Sequence, residues 1–483
     1  MRPIINFLNK SLIEQIIAEA VTILTELGVE IQNKAVIDLL SSHGAKVDDS
    51  KSRVYITQDL IDKALKTAPS AFKLFDIYGK ETNDFSGSKI HFTPGSTALH
   101  ILDYETNRSR KPLTKDYIDF VKVVDQLNNI ASQSTALIPS DVNEQISDSY
   151  RLFLSLLYGK KPVVTGTFTI DSFEVMKNMQ LAVRGSEKLL KEKPLTVFSC
   201  CPTSPLKWSD VTSQNVIDCG KYGIPVEFIA LSGFMAPVTL TGTLVQHTAE
   251  TLSGVVISQL SSPGAPMLYG GSPAAFDIRY ETTPMGAIET MMIDCAYNEI
   301  GKYFAIPTQA YISLSDAKHL DSQAGLESGI GATLAALSGI NNISGPGMLD
   351  FESCQSLEKL IVDNEICGMT LRLAQGIEPK EDFPSLPHFK ELLHEGHLLI
   401  SEHTMKHLGS EHYMPGKVIN RANLARWQAE GETTVNEIAH AEVERLINSY
   451  QPNTLSADIK KELVRLMEAE AKKYGQDRLP QRD

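Results

Sequence analysis

The sequence predicts an α/β protein whose core is a (β/α)8 barrel of the TIM type. From about residue 89 onward, short apolar runs rich in β-branched residues alternate with longer segments of helical periodicity. Strands that are apolar almost throughout, each followed by a helix, are typical of a parallel sheet covered on both faces. Eight such runs favour a closed barrel over an open doubly wound sheet, and no G-x-G-x-x-G motif follows an early strand.

The predicted strands end in small residues. The eight runs lie at residues 89–93, 130–138, 162–169, 195–201, 224–231, 266–270, 305–312 and 342–344. Glycine and hydroxyl residues follow four of them, at residues 165–167, 232–233, 270–272 and 344–347. The C-terminal strand ends form the active face of a barrel, and glycine lets a ligand approach the backbone closely. Tight turns explain any single glycine equally well, but the recurrence at four ends predicts a roomy pocket.

Extensions flank the predicted barrel of residues 88–376. Residues 1–87 carry helical patterns, including a capping box of Ser11 and Glu14 before an apolar stripe, and predict an N-terminal helical extension. Residues 377–483 begin with a histidine-containing stretch and end in two amphipathic helical patterns between residues 434 and 474. We expect this C-terminal part to pack on the barrel or to form an oligomer contact.

Composition excludes several classes of function. The chain has 45 Lys and Arg against 59 Asp and Glu, a formal net charge of −14, which disfavours nucleic acid and anionic membranes as partners. No run of about 18 apolar residues and no signal peptide are visible, so we expect a cytoplasmic protein. Six cysteines without a CxxC pair are too few for a disulfide framework. Cys200 and Cys201 are most simply small residues at the end of a buried strand, with a reactive thiol as the alternative.

The densest polar cluster follows the seventh predicted strand. Aromatic, hydroxyl, carboxylate, amine and amide groups leave the strand together, at Tyr311, Ser313, Asp316, Lys318 and Gln323. Loops on this face of a barrel carry function more often than other loops, so we interpret the cluster as a substrate-facing loop. A solvated loop with a capped helix start is the alternative.

Three further features involve charged or titratable residues. Glu227 lies in the middle of an apolar strand, where an unpaired carboxylate is costly, so it faces either a basic partner or a bound cation. Asp277 and Arg279 follow the sixth strand and orient either each other or a substrate. His403 and His407 are four residues apart, but Glu402 precedes the first histidine, so a polar helix face is favoured and no metal is expected.

Several blocks resemble the trimethylamine methyltransferase superfamily. They are residues 236–246 (APVTLTGTLVQ), 249–250, 264–266, 269–270, 316–318, 321–325 and 345–347, with 403–404, 420–421 and Trp427 nearer the end. The likeness spans about residues 88–440 and implies a (β/α)8 barrel. It also implies transfer of a methyl group from a methylated amine to the Co(I) corrinoid of a separate protein.

One difference from the founding members of that family limits the range of substrates to be expected. Its founding members demethylate trimethylamine with a pyrrolysine in the loop that aligns with residues 311–318, and this chain has only standard residues there. The chain therefore resembles the non-pyrrolysine branch, which demethylates quaternary amines such as glycine betaine, proline betaine and carnitine. A quaternary ammonium leaves as a neutral amine, so neither a general acid nor pyrrolysine is required. No cofactor of the chain's own is expected, because the corrinoid (cobalamin) comes with the cognate corrinoid protein.

The resemblance and the residue types together suggest a substrate site, with no catalytic residue assigned. Candidates for holding the cation are Phe168, Glu227, Phe228, Tyr269 and Tyr311. A substrate carboxylate would meet Arg279, Lys318, His397 or a backbone N–H group. Ser313, Asp316, Gln323 and Gly345 complete the candidate set. The alternatives are a methyltransferase for another methylated amine and a non-catalytic barrel that binds quaternary amines; a homo-oligomer is expected in each case.

Overall fold

A computed structural model describes residues 2–48 and 50–482. The α-helices of these residues are α1 (Lys10–Glu26), α2 (Lys34–Ser42), α3 (Gln58–Thr67), α4 (Thr114–Gln126), α5 (Ser147–Tyr158), α6 (Ser172–Arg184), α7 (Glu187–Glu192), α8 (Asp210–Tyr222), α9 (Leu240–Ser261), α10 (Ile288–Tyr303), α11 (Ser322–Ser338), α12 (Leu357–Gln375), α13 (Leu386–Glu395), α14 (Glu402–Glu411), α15 (Leu424–Ala429), α16 (Val435–Ser449) and α17 (Ala457–Lys473). Short 3-10 helices lie at Glu144–Ile146 and Gly233–Met235.

The strands are short. They are β1 (Val29–Ile31), β2 (Lys46–Asp48), β3 (Arg53–Tyr55), β4 (Lys73–Phe75), β5 (Glu81–Asp84), β6 (His91–Thr93), β7 (His100–Asp103), β8 (Arg108–Arg110), β9 (Gln133–Ser134), β10 (Val163–Thr165), β11 (Thr196–Cys200), β12 (Lys207–Trp208), β13 (Val226–Phe228), β14 (Met267–Leu268), β15 (Gln309–Tyr311), β16 (Asn342–Ser344), β17 (Met348–Leu349) and β18 (Cys354–Gln355).

Eight of these strands form two parallel sheets. A five-stranded sheet has the order β14-β13-β11-β10-β9, and a three-stranded sheet has the order β15-β16-β6. Each of the eight predicted apolar runs contains one of these strands. Because strands and helices alternate along the chain, the α/β prediction is confirmed.

Backbone hydrogen bonds join the two parallel sheets at both of their edges. At one edge, the amide of Tyr269 donates to the carbonyl of Pro307 over 2.8 Å, and the amide of Gln309 donates to Tyr269 over 3.1 Å. At the other edge, the amide of Ala131 donates to the carbonyl of Phe92 over 2.8 Å. The parallel strands therefore continue from one sheet into the other.

An antiparallel hairpin, β4–β5, packs against side chains of the parallel strands. Leu74 and Phe85 from this hairpin form a separate buried cluster with Val164, Val197 and Leu268 from β10, β11 and β14. Side chains alternate along a strand, so Ser199 points to the same side as Val197 but nearer the C-terminal end. On β11, the apolar cluster thus lies nearer the N-terminal end of the strand than Ser199 does.

The N-terminal extension contains strands as well as helices, which the sequence did not predict. β1, β2 and β3 form a small sheet that β12 joins in parallel. Strands of three residues are too short to show a two-residue hydrophobic period, whereas the helices around them have clear stripes. α1 and α3 pack against α9.

The C-terminal part combines packed and unpacked helices. The two amphipathic helices predicted between residues 434 and 474 are confirmed as α16, which packs on α12 and α4, and α17, which packs on α5 and α6. Between them and α12, the helices α13, α14 and α15 have no buried residue. None of the helices in the described residues is both long and apolar enough to cross a membrane.

Candidate functional site

Glu227 is the central residue of β13, and its side chain is fully buried. The hydroxyl of Ser199, on the neighbouring strand β11, donates to Oε1 over 2.7 Å, and the amide of Asn342 on β16 donates to Oε2 over 3.5 Å. Both partners are neutral, and burial raises the pKa of Glu227 to about 7. The carboxylate is therefore not held by a basic residue, which was one of the two possibilities left by the sequence.

A second carboxylate, which the sequence did not reveal, is close to the first. Glu352 lies in the turn between β17 and β18, and the amide of Ser96 donates to its Oε1 over 3.1 Å. Burial, and then the charge of Glu227, raises the pKa of Glu352 to about 8. The charge of Glu227 thus acts on the protonation of Glu352, and a positive charge bound beside the two acids would favour their ionised forms.

The turn that carries Glu352 is strained. Asp350, Phe351 and Glu352 have φ values of 49°, 55° and 67°, a region that residues other than glycine rarely adopt. Lys318 supports it, because its Nζ lies 3.2 Å from Asp350 Oδ1 and 3.9 Å from the centre of the Phe351 ring. The amide of Asp350 also donates to Ala317 over 3.0 Å. Such strain persists only where the surroundings enforce it, and it is common at functional sites.

Tyr311 and Cys201 share the environment of the two acids. Burial raises the pKa of the Tyr311 hydroxyl well above its usual range, and the charges of Glu227 and Glu352 add to this effect. Burial and the same two charges raise the pKa of Cys201 to about 12, so the thiol stays protonated at neutral pH. We call Ser199, Cys201, Glu227, Tyr311 and Glu352 the carboxylate cluster.

The carboxylate cluster is accessible to solvent at the C-terminal strand ends. Although most strand residues are buried, several at these ends are partly exposed: Ser96, Thr97, Gly166, Thr167, Ser199, Cys201 and Glu352. Ser199 lies near the end of β11, and the others belong to the segments that follow β6, β10, β11 and β17. Solvent therefore reaches several C-terminal strand ends, which we call the opening, and the roomy pocket that the small residues suggest stays a prediction.

Arg151 is a second charged group near these strand ends. It lies on α5 and is 1% exposed. Its Nη1 donates to the carbonyl of Thr135 over 2.8 Å and lies 3.5 Å from the hydroxyl of Thr97. The guanidinium carbon is 4.7 Å from the centre of the Phe168 ring, and Phe168 is 44% exposed. Phe168, which follows β10, therefore covers a buried cation with a ring that is itself partly exposed, and its predicted role in holding a substrate stays a prediction.

Phe228 and Tyr269 are not brought to the opening. Phe228 packs against Trp208, with ring centres 6.3 Å apart, and a side chain at Gly254 on α9 would collide with it. The ring of Tyr269 is 5.9 Å from His247 of α9. Both aromatic rings thus fill the layer between the sheet and the helices. Phe228 follows Glu227 directly, so its side chain must point to the opposite face of the strand.

Ser313 and Gly345 shape the backbone between β15 and β16. Ser313 is 1% exposed and has φ 70°. A Cβ at Gly345 would lie 2.3 Å from the carbonyl oxygen of Ile312. The glycine is therefore needed because two backbone segments approach each other, rather than to admit a ligand.

Asp316 and Gln323 fasten two loops together. The carboxylate of Asp316 accepts from the amides of Met285 and Gly286 over 3.1 and 2.8 Å, and burial raises its pKa to about 6. Gln323 donates to Glu327 Oε1 over 2.9 Å, and Glu327 Oε2 accepts from the amide of Asp316 over 2.8 Å. These residues position the β14–α10 loop, so their contribution to the opening is indirect.

Arg279 and His397 lie apart from the carboxylate cluster. Arg279 pairs with Asp277, Nε donating to Oδ1 over 3.0 Å, and its side chain is 75% exposed. The pair lies on a separate cavity of about 790 Å³ between residues 233–243 and 274–293. His397 is exposed in the connection between α13 and α14. The ion-pair interpretation of Asp277 and Arg279 thus agrees with the geometry.

The histidine pair on α14 forms a small aromatic group. The rings of His403 and His407 are 4.9 Å apart, and His388 of α13 lies 4.6 Å from His403. Their Nε2 atoms are 3.6 Å from Asp382 and Glu381, respectively. In residues 2–48 and 50–482, no group of three or more His, Cys, Asp or Glu side chains is arranged to hold a metal ion.

Known proteins match this chain over almost its whole length. The family model described as trimethylamine methyltransferase matches residues 1–475. The trimethylamine methyltransferase of Methanosarcina barkeri (strain Fusaro) is 30% identical over 459 residues, covering 94% of this chain and 92% of that protein. The glycine betaine methyltransferase of Desulfitobacterium hafniense (strain Y51) is 27% identical over 479 residues, covering 98% and 99%. The crystal structure of the Methanosarcina barkeri monomethylamine methyltransferase has a TM-score of 0.46 and 12% identity, covering 90% and 93%.

Proposed function

Because the chain belongs to the trimethylamine methyltransferase family, we propose that it demethylates a quaternary amine, glycine betaine or a similar compound. The methyl group passes to the corrinoid of a partner protein. The observation that carries the choice of a quaternary amine is the carboxylate cluster, in which Glu227 and Glu352 have only neutral partners. A buried acid and a partly exposed one without a protein cation leave room for the positive charge of a substrate.

A quaternary ammonium has no N–H group, so it is held by charge and by aromatic faces instead of hydrogen bonds. Glu227 and Glu352 supply the charge, and the rings of Tyr311 and Phe168 lie near the same opening. Since burial raises the pKa of both acids, they are partly protonated in the free protein. Binding of a cation favours their ionised forms and releases protons.

The chemistry requires little from the protein beyond positioning. The partner's corrinoid supplies the Co(I) nucleophile that takes the methyl group with the displacement of nitrogen. The C–N bond breaks, its electron pair stays on nitrogen, and a neutral tertiary amine leaves without needing a proton. The carboxylate cluster holds the ammonium so that one methyl group faces the opening, and the surrounding loops limit access of water. The partly exposed Ser199 and Cys201 fit an approach from that side.

We also propose that the eight parallel strands close into a (β/α)8 barrel with this opening at the C-terminal strand ends. The backbone hydrogen bonds at both edges between the two parallel sheets support closure. Active sites of such barrels lie at that end.

A second copy of the chain is the proposed partner for residues 377–433. Large apolar side chains are left exposed there, with Ile377 at 90%, Leu393 at 84% and Ile400 at 81%. An exposed apolar surface of this extent is typical of an interface between subunits.

The protein is proposed to act in the reducing cytoplasm, since all six cysteines are free.

Methyl transfer from a panel of amines to reduced free cobalamin tests the proposal. Glycine betaine, proline betaine, carnitine, choline and trimethylamine are each incubated with the purified chain, and loss of Co(I) absorbance and the demethylated amine are measured. Transfer from a quaternary amine is expected. Transfer from trimethylamine alone would assign another methylated amine as substrate. Tight binding of a betaine without transfer, even with corrinoid proteins of the same source, would favour a binding protein.

A further inference from the structure

Arg151 is a buried cation whose partners are all neutral. Its Nε donates to the carbonyl of Ser147 over 3.2 Å, and Nη1 donates to Thr135 and Thr97. Among the described residues, no carboxylate oxygen lies within 4.0 Å of the guanidinium. The acid one turn before it, Asp148, instead accepts from the amide of Phe168 over 2.6 Å and from Ser172 over 2.9 Å. Burial lowers the pKa of the Arg151 guanidinium, and the charge of Asp148 offsets this only in part, so a guanidinium that is 1% exposed without an ion-pair partner is costly to maintain.

A short chain of contacts connects this cation to the carboxylate cluster. The hydroxyl of Thr97, 3.5 Å from Arg151 Nη1, lies 2.9 Å from the hydroxyl of Ser96. The amide of Ser96 donates to Glu352. Ser96 and Thr97 are both partly exposed at the opening. A positive group and Glu352 thus lie at the two ends of a short chain of contacts, and the two small residues between them are partly exposed to solvent.

We propose that Arg151 binds the carboxylate of a zwitterionic substrate whose quaternary ammonium lies at Glu227 and Glu352. The substrate class is then the betaines, in preference to choline and other quaternary amines without an acid group. This inference rests on the proposed function, because that function places the ammonium at the carboxylate cluster. A guanidinium pairs with a carboxylate through two parallel hydrogen bonds, and Nη2 of Arg151 donates to none of the described residues.

The position of Phe168 over the Arg151 guanidinium favours an ion pair between Arg151 and a substrate carboxylate. The aromatic ring lies over the guanidinium, 4.7 Å from its carbon, and its backbone amide is tied to Asp148. Water is thereby kept from one face of the guanidinium, and a charge pair is stronger where water is excluded. The arrangement explains why an arginine, rather than an apolar residue, is retained inside α5.

Binding measurements on the full chain without corrinoid test the inference. Calorimetry with glycine betaine, its methyl ester and choline is expected to show glycine betaine binding at least about tenfold more tightly than either of the others. Arg151→Gln should lower the affinity for glycine betaine about 10- to 100-fold, as expected for a charge-assisted pair, and the affinity for choline less than about threefold. Equal affinity of the unaltered protein for glycine betaine and its methyl ester would overturn the inference, whether or not the variant folds.

Arg184 provides a matched control. It is also a buried arginine bonded to backbone carbonyls, those of Lys193 and Phe75, but it ends α6 away from the opening. Arg184→Gln should lower stability without changing the ratio of glycine betaine to choline affinity. If the carboxylate preference is found but no methyl transfer occurs, the proposed function fails and the inference stands. If transfer proceeds equally from betaine and choline and Arg151→Gln changes neither, the inference fails and the function stands.

Discussion

Lys359 and Asp363 form an ion pair one turn apart on α12, with 2.5 Å between Nζ and Oδ2, and each side chain is only 1% exposed. The same Oδ2 accepts from the amide of Gly347 over 2.6 Å, and Lys359 donates to the hydroxyl of Ser328 over 2.7 Å. The pair therefore ties α11 and the segment leading into β17 to α12. The β17–β18 turn carries Glu352, so the buried ion pair helps to fix the position of this acid through the backbone that leads into β17.

Asp363→Ala is expected to lower the free energy of unfolding by about 3–5 kcal/mol, because it leaves Lys359 buried without a counter-charge. Urea unfolding followed by circular dichroism measures the change. The control is Glu192→Ala, which breaks the exposed pair with Lys188 and should change the free energy by less than about 0.5 kcal/mol. Equal losses in the two variants would show that Asp363 is not a structural anchor.

Affinity for tetramethylammonium is expected to rise at least about tenfold between pH 6 and pH 9. The cation binds the ionised acids, and Glu227 and Glu352 lose their protons near pH 7 and pH 8 because their pKa values are raised. Calorimetry across this range measures the effect. Glu227→Gln should weaken binding of choline more than of its neutral isostere 3,3-dimethyl-1-butanol. A similar loss for both ligands would assign Glu227 a structural role.

Without ligand, Glu227→Gln should be more stable than the unaltered protein at pH 8, by up to roughly 3 kcal/mol. The pKa of Glu227 is raised from 4.5 to about 7 in the folded state, so the acid favours folding most below pH 4.5, and this contribution is lost as pH rises through 7. Urea midpoints at pH 4.5 and pH 8 give the comparison. A stability difference that is the same at both pH values would contradict it.

Lys318→Met should weaken binding of tetramethylammonium several-fold while changing stability by no more than about 1 kcal/mol. The substitution removes the charge next to Asp350 and loosens the strained turn that aims Glu352, but the lysine itself is 55% exposed. Lys115→Met is the control, because Lys115 also pairs with an aspartate and is 80% exposed. Unchanged affinity in the Lys318 variant would mean that the turn holds Glu352 unaided.

Replacement of Leu393 and Ile400 together by Glu should reduce the molar mass measured by light scattering after gel filtration. Both side chains are more than four-fifths exposed in one chain, and charge there would oppose burial against a second copy. Val238→Glu introduces the same charge at a residue that is 90% exposed beside the Arg279 cavity. A double variant with unchanged mass would leave residues 377–433 without a role in assembly.

The strands and one acid of the site were predictable, whereas the aromatic residues were not. Glu227 stands out as the only charge in an apolar run, and its burial inside the sheet follows from that position. Ring chemistry alone favours Phe228 and Tyr269 as cation-binding residues and carries no information about which face of the sheet they occupy. Applying the two-residue alternation of strands to Glu227 would have placed Phe228 on the helix side.

Glu352 and Arg151 were missed for different reasons. Glu352 lies in a four-residue turn between two-residue strands, and its direction depends on positive φ values that no local pattern encodes. Arg151 had a recognisable feature, since it is the only charged residue between Ser149 and Tyr158 on α5. An isolated charge in an otherwise apolar helix indicates a specific partner, just as an isolated charge in an apolar strand does, because an unpaired buried charge is costly.

The apolar cluster of Leu74, Phe85, Val164, Val197 and Leu268 has a kinetic consequence. It fills the N-terminal end of the space between the strands, so under the proposed function the methylated amine and the corrinoid protein would share one entrance. The amine then has to enter first, and the demethylated product can leave only after the protein partner has dissociated. Steady-state rates should therefore fall at high concentrations of corrinoid protein, and the inhibition should be relieved by raising the concentration of amine.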